Sequence, residues 1–553
     1  MRIKTWEGLV TDHSPMPAGL RGNPRLLRIS ASLAGQAEDT CPDYTAAKAR
    51  PAVSARFPVR YPKARLEDFP LARVQKVLDR VEFGGDSIDS ALQDVERCAP
   101  PLHDMQRNFV RHAARSYLAN QRPQDAPPVV PCRHEWAVRG TKGDRTWEST
   151  AWGRQYHDPA TGLREFRFLV LGQTGEQSGK KDRPAAQIAH AAHVAAFGQP
   201  AERAEWNNQP YRLLGAETVN WVRVAEVGLM DGSYELLFEG TPEQARAYFA
   251  EHAKDRITSL VRGGRQRPGA SCLKCKLLTS CDALPKTPGL LGLPSRRSPW
   301  PLRKVSVSDL RYHSDCPGMA FGYSSRLPRA NEYSLEAQLG KAVHWWLERN
   351  HRHGAGECNA FDMPMADHRW GEDPYIMSGE WARIGSQMLG WHLDICPFNA
   401  GSITDVSIES DLAFHDTSAN VVVVAKPDML FHDNGAVVWR EIKTTQRDSR
   451  YHDDPLDAHP QLALATVLLA DGHLGGDLAG ARVELETLRP DSANLECIEP
   501  FHEPERVAKA RRILHDLAEP WRSDEIFTAR PTGRVCGTCP VSQWCSSALG
   551  GGR

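Results

Sequence analysis

Two carboxylates and a lysine stand near one another as Asp428 and Glu441-Ile442-Lys443. Side chains alternate along a strand, so in an extended backbone Glu441 and Lys443 share one face while Ile442 points to the other, where it can enter a core. Two acids and an amine crowded on one sheet face are costly unless a divalent cation holds the acids and a phosphate or water engages the amine. That combination suits metal-dependent cleavage of phosphodiesters. Thiols give the second signal. Cys272, Cys275 and Cys281 read Cys-x2-Cys-x5-Cys, and Cys536, Cys539 and Cys545 read the same. With Cys41 and Cys316, each followed by proline, either half of the chain offers four thiolates, enough for tetrahedral zinc or an iron-sulfur cluster. Joining one early cysteine to three late ones would staple a domain shut, so such a centre is expected to be structural.

Several elements must position these groups. The apolar run Val421 to Val424 leads through Pro427 and Asp428 toward His432-Asp433-Asn434-Gly435, whose Asn-Gly pair is a β-hairpin turn, and Ala436 to Lys443 is the returning strand. Asp428 is expected across this hairpin from Glu441 and Lys443. Leu339 to Glu348 has the apolar stripe of a helix and carries His344 beside it. Glu409 opens an expected strand from Ile408 to Phe414, where an exposed ion pair is its expected role. Thr444 to Pro460, with Tyr451-His452-Asp453-Asp454-Pro455, reads as a solvated connection. The apolar helix Gln461 to Ala470 follows.

The chain repeats itself. Ile29 to Pro42 resembles Val305 to Pro317, each ending in Cys-Pro after a serine-rich helix start, and each late triplet follows an Arg-Pro, Arg267-Pro268 and Arg530-Pro531. This predicts an internal duplication. Ala283 to Lys304, rich in Pro and Gly, reads as a linker. The expected domains are 1–282, a linker 283–304, and 305–553. In the first half, Phe109 to Leu118 with His112 resembles the His344 helix. Arg145 to Leu171, turning at His157 to Gly162, is the candidate hairpin. Its return strand, REFRFLVLG, offers no Glu-x-Lys pair, so this half is expected to be a degenerate copy that binds or scaffolds.

Composition places outer limits on function. The 553 residues favour two or more domains, and 41% hydrophobic with 25% charged residues is the balance of a soluble globular chain. Met1 to Asp12 lacks a signal-peptide core and no run is long enough for a membrane span, so a cytoplasmic protein without membrane partners is expected. Thirteen cysteines in that setting argue for metal ligation over disulfides. The net charge of -1 excludes a global basic field, so nucleic acid would be met by local patches such as Arg262 to Arg267 and Arg296-Arg297. Some of the fifteen tryptophans are candidate stacking platforms for bases. No Gly-x4-Gly-Lys-Ser/Thr stretch occurs, so an ATP motor would come from a partner.

Pro427-Asp428 and Glu441-Ile442-Lys443 together resemble the two motifs of the PD-(D/E)xK nuclease superfamily. The Gly340-x3-His344 helix and the one-plus-three cysteines resemble its RecB-like branch with an iron-sulfur cluster, as in CRISPR-associated exonucleases and the AddB nuclease domain. The resemblance covers Val305 to Ser547. It implies an α/β chain of two tandem restriction-endonuclease-like modules, each a short mixed sheet flanked by helices, the second active. It implies that His344, Asp428, Glu441 and the carbonyl of Ile442 hold one Mg2+ or Mn2+, while Lys443 orients the attacking water or neutralises charge. Gln461 stands where the family begins a Gln-x3-Tyr motif, although Ala465 occupies the tyrosine place. Cys316, Cys536, Cys539 and Cys545 are implied to carry a 4Fe-4S cluster, and Cys41, Cys272, Cys275 and Cys281 a second cluster or zinc. The implied activity is that of a deoxyribonuclease, an exonuclease on single-stranded DNA or DNA ends, in repair, CRISPR or antiphage defence. DNA, with a helicase or other repair or defence subunit, is the implied partner. The alternative is a non-catalytic DNA-binding iron-sulfur subunit of a helicase-nuclease or defence complex.

Overall fold

The computed structural model describes residues 16–67, 69–119, 128–175, 182–296, 300–330, 334–353, 358–366, 368–400, 403–446 and 454–549. Tyr451, His452, Asp453, Arg297 and the segment Met1 to Asp12 lie outside the described residues. The chain divides into two units: Met1–Leu284 with Gly322–Pro328 and Trp544–Ser546, and Pro285–Phe321 with Arg329–Gln543 and Ser547–Arg553. No helix among the described residues is long and apolar enough to cross a membrane.

The first unit contains β1 (Leu26–Ser30), helix α1 (Asp104–Ala119), β2 (Val130–Pro131), β3 (Glu135–Lys142), β4 (Arg145–Thr150), β5 (Arg154–Asp158) and β6 (Leu163–Val170). Helix α2 (Ala185–Phe197) follows, then β7 (Gln199–Glu202), β8 (Arg212–Leu213), β9 (Trp221–Gly228) and β10 (Tyr234–Gly240). A small pair, Leu20–Gly22 with Val53–Ala55, stands apart. One sheet runs β8-β7-β3-β4-β1 and the other β10-β9-β6-β5-β2.

In the second unit the strands are β11 (Arg303–Val305), β12 (Ile403–Ile408), β13 (Leu412–Asp416), β14 (Val421–Ala425), β15 (Met429–Asp433), β16 (Ala436–Thr444), β17 (Arg482–Leu488) and β18 (Ala493–Ile498). Its main helices are α3 (Leu335–His353), α4 (Gly379–His392), α5 (Pro460–Ala470) and α6 (Pro504–Ser523). Its sheets run β11-β14-β13 and β12-β15-β16-β17-β18.

The two units share a strand pattern. In β2-β5-β6-β9-β10 the successive pairings are antiparallel, antiparallel, parallel, antiparallel. The same sequence of senses runs through β12-β15-β16-β17-β18. A buried apolar helix, α2 or α5, makes the crossover between the parallel strands. In the other sheet, β1 is parallel to β4 and β4 antiparallel to β3, as β11 is parallel to β14 and β14 antiparallel to β13. Ser30 and Ser306 each cap the helix after the first strand of this pattern.

The central strand β16 is buried over most of its length because both its faces are covered. Val437 and Trp439 pack in one core with α5 and α6, while Val438 and Ile442 pack in a second core with Leu339, Val343 and Leu347 of α3 and Met388 and Leu389 of α4. Helix α5 is buried from Leu462 to Leu469 and almost wholly apolar there, as a helix enclosed on all sides must be.

Three expectations need correction. Val421 to Val424 is no arm of the hairpin: β14 lies in the other sheet, and the hairpin is β15 with β16, closed at Asp433 and Ala436. The expected strand Ile408 to Phe414 is broken, because β12 and β13 belong to different sheets and Glu409 turns the chain between them with φ of 50°. Likewise Arg145–Thr150 joins the other sheet, so the first-unit hairpin is β5 with β6 alone. Apolar content did not reveal these sheet changes, because both sheets bury such runs. Within 283–304, Leu290, Leu291 and Leu293 are buried in the second unit's core.

Candidate active site and metal-binding clusters

The sheet changes create the site. Chain leaving β14 crosses at Lys426, Pro427 and Asp428 before entering β15, and chain leaving β12 turns at Glu409, whose N–H donates to the Asp428 carbonyl at 3.2 Å. Both carboxylates therefore lie where a strand ends and the chain changes sheet. The Asp428 carboxylate accepts the Ile442 N–H at 2.6 Å and lies 3.3 Å from His344 Nδ1. Glu441 accepts Trp439 Nε1–H at 3.0 Å, and Lys443 donates to Glu441 Oε2 at 3.1 Å and to the Ile442 carbonyl at 3.1 Å. The same ammonium is 3.8 Å from Asp428 Oδ2.

Three oxygens, from Asp428, Glu441 and the Ile442 backbone, thus face one positive charge, the Lys443 ammonium. They are the oxygens expected to face a divalent ion, with the histidine at their side. Hard oxygen donors of this kind suit Mg2+ or Mn2+. Glu409 joins this group. Its expected ion pair forms, with Lys426 at 2.5 Å, but only the lysine is exposed, and ligand atoms of His344, Glu409 and Asp428 lie within 4.8 Å of one another. Only the crossover brings Glu409 to this point, so no sequence spacing announces it.

The charges reinforce one another. Burial drives Asp428 up, but the hydrogen bond and charge of His344, the Lys443 charge and the Ile442 N–H outweigh it and hold the carboxyl well below its usual range. Glu441 is raised by burial and by the Asp428 charge beside it. Glu409 is pushed up to about 7 by burial, with Asp428 adding to the rise against the pull of Lys426. Burial pulls Lys443 down, yet Glu441 and Asp428 leave it raised overall. Three carboxylates crowd this point and two of them are raised, a crowding that a divalent cation would relieve.

Gln461 stands in the first turn of α5 and is half-buried. His459, just before that helix, is lowered to about 4 by burial and then by the charges of Lys443 and Arg311, so the start of α5 lies near the lysine. Gly340 explains the Gly-x3-His spacing: a Cβ there would lie 2.9 Å from Thr444 Oγ1, so the glycine lets α3 approach β16.

Counting back from the two hairpin closures, Asp158 with Leu163 and Asp433 with Ala436, places Gly153, Phe168 and Val170 at the positions of Asp428, Glu441 and Lys443. A Cβ at Gly153 would lie 2.3 Å from the Arg167 carbonyl, leaving no room for a side chain. His112 there hydrogen-bonds the Met230 carbonyl at 2.6 Å.

The four first-unit thiols, Cys41, Cys272, Cys275 and Cys281, line one cavity together with Gln266 and Arg267. Backbone N–H groups point at three of the sulfurs: Arg267 at Cys41, Gly269 at Cys272 and Leu277 at Cys275, each at 3.4 Å. Cys275 is pushed up to about 12 by burial and by the other three sulfurs, so a thiolate at Cys275 calls for a cation beside it. The donor set and its N–H cradle fit a thiolate-bound metal centre. In the second unit Cys316 accepts the Arg530 N–H at 3.3 Å, the counterpart of Arg267 with Cys41. Cys536 and Cys539 lie at the helix Gly533–Thr538 of the same unit, and Cys545 follows the turn Ser542–Trp544 in the short segment that groups with the first unit.

A further cluster lies outside the residues that the sequence motifs single out. His351, Cys358, His392 and Cys396 are all buried, with ligand atoms within 4.8 Å of one another, and can hold a metal ion. The cluster's signal in the sequence is His392-x3-Cys396 with His351-x6-Cys358, spacings that occur once and far apart.

No curated protein matches the chain. Among solved structures, "Crystal structure of SSO0001" aligns at 17% identity over 45% of this chain and 87% of its own, with a TM-score of 0.23. Residues 304–546 match the family model of the PD-(D/E)XK nuclease superfamily, a fold that suits this part of the chain and points to a nuclease.

Proposed function

We propose that the second unit is a metal-dependent deoxyribonuclease whose catalytic groups are Asp428, Glu441 and Lys443, with His344 as a further ligand and Gln461 assisting. The observation that carries this reading is the convergence of Asp428, Glu441 and the Ile442 carbonyl on one positive charge with His344 alongside. Residues 304–546 match a nuclease superfamily, which supports it. His344, Asp428, Glu441 and the Ile442 carbonyl would hold Mg2+ or Mn2+, which when bound polarises a phosphate and acidifies water. The protein's own part is orientation and charge. His344 and Lys443, with the Ile442 N–H, hold Asp428 in its ionised form, and Trp439 fixes the rotamer of Glu441. Lys443, held protonated, neutralises charge that grows on the phosphate as the water oxygen bonds to phosphorus and the bridging P–O bond breaks.

We further propose that the chain is a tandem duplication. The shared strand order, the shared Arg N–H to cysteine bond and the two cysteine sets support it. The first unit is then a copy that lost its acids and serves to bind or scaffold DNA. A 4Fe-4S cluster on Cys316, Cys536, Cys539 and Cys545, with a second cluster or zinc in the first unit, is the cofactor reading. A chain of this kind acts on DNA ends or single strands in repair, CRISPR or antiphage defence, with a helicase as a suitable partner. Incubation with Mn2+ and labelled linear or circular, single- or double-stranded DNA tests the activity. Metal-dependent products absent from Glu441→Ala are expected, and loss of circular substrate would replace the exonuclease reading with an endonuclease. Products that persist in Glu441→Ala would remove the site assignment.

A further inference from the structure

The second unit contains a four-ligand cluster that takes no part in the proposed chemistry. His351 lies in the last turn of α3, Cys358 beyond that helix, His392 at the end of α4, and Cys396 four residues later. None is more than 6% exposed. The imidazoles meet Nε2 to Nε2 at 3.3 Å, and His351 Nε2 lies 3.3 Å from Cys358 Sγ and 3.8 Å from Cys396 Sγ.

These separations can be compared with a tetrahedral ion. Zn–N bonds of about 2.05 Å and Zn–S bonds of about 2.3 Å set ligand separations of about 3.3 Å for N to N and about 3.6 Å for N to S. The observed nitrogen pair matches the first, and the two nitrogen-sulfur distances bracket the second. Two buried imidazoles that face each other through the same ring atom can share a proton or a metal ion, and the two sulfurs converging on the same nitrogen favour the ion.

The surroundings are built as well. His392 Nδ1 bonds Glu486 Oε1 at 2.5 Å, which turns Nε2 toward the cluster. Glu486 is buried and its other oxygen takes Arg440 Nη1 at 3.1 Å, while the same Arg440 nitrogen donates to the Ile395 carbonyl at 2.7 Å, next to Cys396. A carboxylate behind a ligating histidine is the common outer partner of a bound metal. Two thiolates and a divalent cation sum to zero charge, so such a site can be buried without an unpaired ion.

We propose that His351, Cys358, His392 and Cys396 form a structural Cys2His2 zinc site. Four protein ligands close the tetrahedron and leave no open position, which separates this site from the oxygen-lined one. The mixed soft donors select zinc over Mg2+ or Mn2+. Zinc here ties α3 to α4 and, through Glu486, to β17. His344 sits seven residues before His351 on α3, two turns along the same face, so the pin also steadies the helix that carries it.

The test uses the full chain, purified without oxygen or chelators. Zinc and iron per chain are measured for the wild type and for Cys358→Ser/Cys396→Ser, and the zinc K-edge absorption of the wild type is recorded. Expected are a loss of about one zinc per chain in the double variant with iron unchanged, and imidazole scattering alongside sulfur in the wild type. The absorption measurement needs no variant, so a double variant that fails to fold does not decide the matter. A wild type without zinc, zinc with sulfur ligands alone, zinc unchanged in a folded double variant, or a Cys358–Cys396 disulfide in an unreduced digest would each overturn the proposal.

Discussion

Replacing Glu441 with glutamine separates the charge of this group from its shape. In the wild type Glu441 is 6% exposed, its pKa is raised by burial and by Asp428, and it is held by Trp439 and Lys443. A folded pKa above the ordinary value means that ionisation of Glu441 at neutral pH costs stability in the metal-free protein. The amide keeps an oxygen to accept from Trp439 or Lys443, and Lys443 keeps Asp428 and the Ile442 carbonyl, so no charge is stranded. The metal-free variant is therefore expected to unfold within about 1 kcal/mol of the wild type. Metal changes the comparison. At a Mn2+ concentration about 100 times its Kd the wild type gains about 2.7 kcal/mol, whereas the variant, short of one anionic ligand, gains much less at the same concentration. Cleavage should fall by about 10³-fold or more, the scale of losing a group that acts on transition-state charge. The assays are chemical denaturation with and without Mn2+, and product formation from end-labelled DNA. A variant that gains as much from Mn2+ as the wild type, or cleaves within tenfold of it, refutes the assignment of Glu441 as a ligand.

Other outcomes follow from separate parts of the molecule. Gly340→Val should press α3 away from Thr444 and cost about 10²-fold in cleavage through misplacement of His344, while thermal unfolding shifts only modestly. Unchanged cleavage would show that the approach of α3 to β16 is unimportant. His190 and His193, fully buried in α2, are lowered to about 4 and about 3 by burial. The unfolded chain then binds more protons below its histidine pKa near 6.5, so stability is full above that pH and is lost as pH falls toward 4. For His190 alone the loss is about 3 kcal/mol, read as faster hydrogen exchange in α2 at pH 4.5 than at pH 7 after correction for intrinsic rates. Flat protection across that range would contradict the burial argument. Cys275→Ser should remove a ligand from the first-unit cavity and make that unit more sensitive to proteolysis, together with a loss of visible absorbance or zinc, whichever its centre supplies. A variant with the wild type's metal content would exclude Cys275 as a ligand.

Much of the site was legible without coordinates. Alternation along Ala436 to Lys443 fixes that Glu441 and Lys443 share a face and that Ile442 is buried, because strand geometry is local. The Asn-Gly turn set the hairpin, and the repeated cysteine spacing pointed to the four thiols that share the first-unit cavity. What depended on the assignment of strands to sheets was not legible. Val421 to Ala425 is as apolar as a hairpin arm but pairs with Leu412 to Asp416, and no propensity distinguishes two buried sheets. The turn at Glu409, which adds a third acid to the site, exists only because the chain changes sheets there. The His351 cluster joins the ends of two helices packed side by side in one core, a proximity that packing creates and spacing along the chain only hints at. Sequence thus determined which groups point together within one strand, and tertiary structure decided which strands and helices bring distant groups to a common point.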